Sequence, residues 1–166
     1  MTALRFTAED AKHAEDTWGC NCGPAAIAAV CGLTLDEVRP YLGDFETKHY
    51  TTFSAMRDTL ARLKVKWHTR IRPIDWPNYG LVRVQWEGPW TAPDAPNWQR
   101  LRHTHWVGAR RTSDSYGVFD INCMNSGGWV GFTDWTNTII PWLLKQCEPR
   151  ADGRWHLTHA LEITRL

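Results

Sequence analysis

In WGCNCGPAAIAAVCGL, residues 18–33, Cys20 and Cys22 stand two apart directly before Gly-Pro and an alanine-rich apolar run. Thiols so placed admit three chemistries. A structural zinc site needs four Cys or His ligands in paired clusters. His103 and His105 would be the second pair, but the Cys20–Cys22 spacing is tighter than zinc pairs use, and Cys22 abuts a helix start. No metal and no cofactor is therefore expected. A Cys20–Cys22 disulfide would close a loop too small to be unstrained. The third chemistry is nucleophilic. A thiol at a helix N-terminus meets unpaired backbone N–H groups and the positive end of the helix dipole, which lower its pKa. The same N–H groups receive an oxyanion when the thiolate attacks a carbonyl. Cys22 is the candidate nucleophile, with Cys20 the alternative; Cys31, Cys123 and Cys147 read as small buried side chains.

Such a nucleophile needs a base, and the base needs an orienting group. RHTHWVGA places His105 at the start of an expected strand, and VFDIN puts Asp120 and Asn122 on its hairpin partner. Strand alternation gives His103 the same face as His105, so it is the alternative base. The same period-two geometry makes Asn122 the alternative orienter to Asp120. Each has a plainer reading: His105 as a core histidine satisfied by backbone, Asp120 as a cap at a strand end. Local oxyanion donors are the Asn21 amide and the Trp18 indole N–H. Eleven tryptophans are unusual for this length. Trp86, Trp90 and Trp98, around the Pro-rich loop at residues 88–100, are candidate substrate contacts, against the alternative of core packing.

The elements that must position these groups change character along the chain. GPAAIAAVCG has Pro24 near a helix start and Gly32 at the C-cap position. TLDEVRPYLG opens with Thr34 and Glu37 at capping-box spacing. TTFSAMRDTLARL sets Phe53, Met56, Leu60 and Leu63 on one helical stripe. After residue 63 come short β-rich runs, KVKWHTRIR, GLVRVQWEG, HWVGARR, YGVFDIN and GWVGFTDW. DSYG marks the turn of a hairpin between HWVGARRTS and VFDIN. TNTIIPWLLKQ reads as a late helix broken at Pro141, and HLTHALEITRL as a closing strand. Helices over about 1–63 and an antiparallel sheet over about 64–166 predict an α+β fold in one domain, 1–166.

Composition narrows the function. A 166-residue chain with 43% hydrophobic residues fits one domain with a sizeable core. A net charge of +1 offers no electrostatic grip on nucleic acid or an anionic membrane. No apolar run approaches the ~18 residues of a membrane span. The charged N-terminus lacks the apolar stretch of a signal peptide. Five cysteines, an odd number, without such a signal predict reduced thiols and a cytoplasmic location.

CNCGPAAIAAVCGLTLDEV, HWVGARR and YGVFDIN together resemble the papain-like cysteine peptidase superfamily, closest to its bacteriocin-processing (double-glycine) peptidase-like branch. The resemblance runs in chain order, Cys on a helix start, then His and Asp in a sheet. It implies a papain-like fold, Cys22 as nucleophile, His105 as base and Asp120 as orienting residue. It further implies a thiol hydrolase that cleaves a peptide, isopeptide or other amide through a thioester, with a peptide or protein as substrate and a bacterial or phage source. An acyl transferase on the same scaffold, or a papain-like binding or inhibitor protein without chemistry, are the alternatives. The superfamily's oxyanion glutamine, about six residues before the nucleophile, is replaced here by Asp16, whose carboxylate cannot donate a hydrogen bond.

Overall fold

The computed structural model describes residues 3–70, 74–100, 103–146 and 153–164, and shows an α+β fold. Helix α1 (Ala8–Trp18) opens on a reciprocal capping box between Thr7 and Asp10 and closes on Gly19. Gly19 sits at φ 76°, where L side chains are strained, and a Cβ there would meet the His49 ring. Helix α2 (Cys22–Cys31) is capped by Asn21, and Gly32 ends it in the left-handed conformation, as its sequence predicts. Thr34 and Glu37 form the expected capping box, but the helix it starts, α3 (Leu35–Val38), tightens at once into a 3-10 turn at Arg39–Tyr41, where Pro40 sits. Helices α4 (Phe45–Lys48) and α5 (Phe53–Arg62) complete the first part.

Six strands follow: β1 (Trp67–Arg70), β2 (Tyr79–Trp86), β3 (Thr104–Arg111), β4 (Tyr116–Phe119), β5 (Trp129–Gly131) and β6 (Trp155–Ile163). They form one antiparallel sheet in the order β1-β6-β2-β3-β4-β5. The β3–β4 hairpin is present, with Arg111 opposite Tyr116, so its turn is Thr112–Ser115 and Tyr116 and Gly117 already belong to the strand.

Alternation along β2 gives the sheet two buried faces. Leu81 enters a core built with α1, α2, α3 and α5, whereas Val82 and Val84 enter a second, tryptophan-rich core. Helix α2 is the centre of the first core: Gly23 through Val30 are all buried. Its alanines let β3 approach closely, and each large apolar side chain fully buried around them contributes about 1.5–3 kcal/mol. Gly23 admits a second close approach, because a Cβ there would run into the Thr51 hydroxyl.

Two expectations are corrected on the second face. GWVGFTDW is a strand only over β5; from Phe132 the chain is helical through Leu144. That helix does not break at Pro141. It widens to a π-turn at Trp135–Ile139 just before the proline, whose ring and missing N–H disfavour a regular α-turn there. The second part of the chain is thus a sheet with its own helical cover. Cys147 lies outside the described residues. No helix among the described residues is long and apolar enough to cross a membrane.

Candidate active site

Cys22 is the first residue of α2, and the Asn21 side chain turns the chain into that helix by accepting from Gly23 N–H at 3.3 Å. β3 pairs with β4 only from Gly108 onward. The earlier part of β3 therefore has an open edge on that side, and Cys22 takes it. The backbone N–H of Trp106 donates to its sulfur, and the His105 side chain hydrogen-bonds to it.

His105 is buried and uses its other nitrogen on Asp120, Nε2 to Oδ2 at 2.9 Å. That leaves Nδ1 for the Cys22 thiol. Trp86 stacks on the imidazole, with ring centroids 6.0 Å apart and planes 24° apart. Asp120 is fully buried and carries four donated hydrogen bonds at 2.9 Å each. Oδ2 accepts from His105 and the Trp135 indole N–H; Oδ1 accepts from the Asn122 backbone and side-chain amides.

The electrostatics follow from this chain of contacts. Burial pushes the Cys22 thiol up, yet the His105 charge and hydrogen bond and the Trp106 N–H together hold it below the ordinary thiol range. Burial also works against the His105 imidazolium, but Asp120 and Cys22 on either side raise its pKa well above the usual value. For Asp120, burial is overcome by His105, Trp135 and Asn122, which hold the carboxyl well below the carboxylate range. Each of these shifts favours the charged form: thiolate, imidazolium and carboxylate. The other described cysteines are inert by comparison: burial pushes Cys20, Cys31 and Cys123 up to about 12.

Cys22 and His105 open into a cleft of about 480 Å³ between α1, which supplies Lys12 and Glu15, and the turn after β4, which supplies Asn122 and Met124. Several sequence expectations change here. His103 does not share a strand face with His105; it precedes β3 with φ 57°, and its ring packs on Trp90 at 4.0 Å. Asn122 lies in a 3-10 turn, Ile121–Ser126, where period-two alternation has ended. It supports Asp120 and leaves the His105 contact to it. Asn21 lines the cleft, but its amide Nδ2 donates to the His49 carbonyl at 2.9 Å. The Trp18 indole N–H is buried without a partner, yet its ring packs on Phe45 in the first core and does not line the cleft. Asp16 faces solvent in an ion pair with Lys12 at 3.1 Å, while the α1 carboxylate in the cleft lining is Glu15. Trp86 and Trp90 are buried and Trp98 is exposed; none lines the cleft.

Sequence reasoning missed Trp135 as a partner of Asp120, and offered Trp86 as a candidate substrate contact or core residue rather than as the ring stacked on His105. Nothing local in FTDW marks an indole that must reach back to the end of β4. Among the described residues, no group of three or more His, Cys, Asp or Glu gathers to hold a metal ion. No protein-family model, no curated protein and no solved structure matches the chain.

Proposed function

We propose that the chain is a papain-like thiol hydrolase of amide bonds, with Cys22 as nucleophile, His105 as acid and base, and Asp120 as its orienting partner. One observation carries this reading: the unbroken Cys22–His105–Asp120 contact chain, set at a helix start and open to a cleft. Thiolate Sγ attacks the substrate carbonyl carbon, and the carbonyl electrons pass to oxygen, received by the Cys22 backbone N–H at the start of α2, since Gly23 N–H already donates to Asn21 and Pro24 has none. His105 gives its proton to the departing amine nitrogen as the C–N bond breaks, leaving a thioester on Cys22. Water then loses a proton to His105, attacks the thioester and releases the acid and the thiolate. Asp120 holds the imidazole in the tautomer and orientation both halves need, and Trp86 covers one face of the ring. A nucleophile of this kind fits a reducing compartment such as the cytoplasm.

Iodoacetamide labelling with peptide mapping tests the reading before any substrate is known. Cys22 is expected to react at pH values below about 8.5, where an ordinary cysteine is still a thiol, while Cys20, Cys31 and Cys123 stay unmodified. In His105→Ala the cation is gone but the burial remains, so Cys22 labelling should move to higher pH than in the wild type. Labelling of Cys22 no faster than that of the other cysteines in the wild type would remove the thiolate, and the function with it.

The cleft also predicts which α1 carboxylate limits the rate. Glu15→Gln removes a negative charge from the cleft and supplies an amide donor, so kcat/KM should rise, by up to about 10²-fold if the amide reaches the oxyanion. Asp16→Gln should leave it unchanged, because that side chain faces solvent on the Lys12 side. The two variants are compared on one peptide substrate.

A further inference from the structure

Arg83 is a buried charge with no carboxylate partner among the described residues. It lies on β2 two residues after Leu81, so it points toward the helix-side core, and it is only 6% exposed. Its Nη2 donates to the Thr104 hydroxyl at 3.2 Å, while its Nε is buried with no partner. Among the described residues, no Asp or Glu lies within ion-pair distance of it; the paired arginines are Arg5, Arg39, Arg70 and Arg154. A guanidinium taken this far out of water without an ion-paired carboxylate carries a large desolvation penalty, which the nearby Cys22 thiolate offsets only in part.

The surroundings say where a carboxylate partner belongs. Across β3, Arg83 is opposite Trp106, whose backbone N–H holds the Cys22 sulfur, and its hydrogen-bond partner Thr104 immediately precedes His105. Arg83 is also close enough to Cys22 for the two charges to interact. On the other side, the β2–β6 register slips between Arg83 and Val84, a bulge that sets His159 opposite Arg83. The His159 Nδ1 is likewise buried and unpartnered, with Phe53 stacked on its ring at 4.2 Å. Burial and the Arg83 charge hold that imidazole below its usual pKa, so it is a neutral neighbour and not a second cation. The groups facing Arg83 are therefore a hydroxyl, a neutral imidazole and the nucleophile.

We infer that Arg83 receives a carboxylate of the substrate next to Cys22, on the helix-side face of β2 and β3 and outside the cleft lined by His105 and Glu15, with the unpartnered Nε and the His159 Nδ1 as the waiting polar atoms. The inference rests on the hydrolase reading and narrows it to substrates bearing an acid close to the scissile amide, either an Asp or Glu side chain or the free carboxylate of a chain end.

The test compares alkylation of Cys22 by iodoacetate and by iodoacetamide, which differ in charge. The iodoacetate-to-iodoacetamide rate ratio at Cys22 should exceed that of a free thiol. It should fall about tenfold in Arg83→Gln, the scale of one unit charge acting across roughly 10 Å of protein, and stay high in Arg83→Lys. Two arms then locate the carboxylate: capped peptides differing in Glu or Gln, and peptides differing in a free or amidated C-terminus, each scored for protection of wild-type Cys22 from iodoacetamide. The acid-bearing member of one pair should protect better. These protection measurements use only the wild-type protein, so they stand even where Arg83→Gln fails to fold. Equal protection by both members of both pairs, or an unchanged reagent ratio in folded Arg83→Gln, overturns the inference while leaving the hydrolase reading in place. A shifted iodoacetamide pH profile with that ratio unchanged would assign Arg83 to holding the thiolate, also against a carboxylate site. Failure of both reagents to select Cys22 in the wild type takes down both readings.

Discussion

Cys22→Ala is expected to abolish amide turnover, with kcat falling about 10⁵–10⁶-fold, the scale seen when the nucleophile of a cooperating catalytic group is removed. The reason is chemical and local. Cys22 is the one described cysteine whose thiol lies below the ordinary range, and its sulfur stands between an imidazolium and a backbone N–H at a cleft. Stability should change little, because Cys22 is only half-buried and an alanine keeps the first turn of α2 intact. Cys123→Ala is the contrasting variant. That side chain is 3% exposed with its thiol pushed up to about 12, so turnover should persist while the urea midpoint drops, by about 1 kcal/mol of stability for the lost packing. Activity and denaturant midpoints measured on both variants separate nucleophile from core. Full turnover in Cys22→Ala would end the thiol mechanism.

Much of the arrangement was legible in the sequence because the signals were local. Pro24 and Gly32 bracket α2 by their backbone preferences, and the Thr34–Glu37 spacing marks a box whatever packs around it. His105 and Asp120 meet because a short hairpin joins their strands, and strand order within a hairpin needs no long-range information. The misplaced residues sit where a local period ends. Alternation assigned His103 and Asn122 to strand faces, but β3 begins at Thr104 and β4 ends at Phe119, so one residue lies in a positive-φ turn and the other in a 3-10 turn. Asp16 was matched to a family position by counting, whereas the helical rotation of α1 puts Lys12 and Glu15 in the cleft lining and leaves Asp16 outside it, in an ion pair with Lys12 at the cleft edge. The insertion of β6 between β1 and β2, and the Trp135–Asp120 bond, join segments far apart in sequence. Such contacts are decided by packing of whole faces, and no single window of residues encodes them.

Asp120→Asn should be the most damaging conservative change in the molecule, for activity and stability together. The two carboxylate oxygens accept four donors, Oδ2 from His105 and Trp135 and Oδ1 from both Asn122 amides. An asparagine has one oxygen and one NH₂, so in either flip its NH₂ faces two donors in a site with no exposure. Breaking a buried charged pair in this way costs about 3–5 kcal/mol. Turnover should fall about 10⁴-fold, because the imidazole loses the partner that fixes its tautomer. The pH dependence of stability separates this account from simple misfit. The Asp120 pKa is depressed in the fold, so its contribution is complete above the unfolded value, about 4, and is lost as pH falls through the folded value. The His105 pKa is raised, so its contribution is complete below the unfolded value, about 6.5, and is lost as pH rises through the folded value. The pair therefore stabilises the wild type most between about pH 4 and 6.5. Urea midpoints measured across pH should show the wild-type advantage over Asp120→Asn greatest in that window and shrinking on both sides. An advantage that is the same at every pH would mean that the cost lies in packing alone, and that His105 is not held as an imidazolium by Asp120.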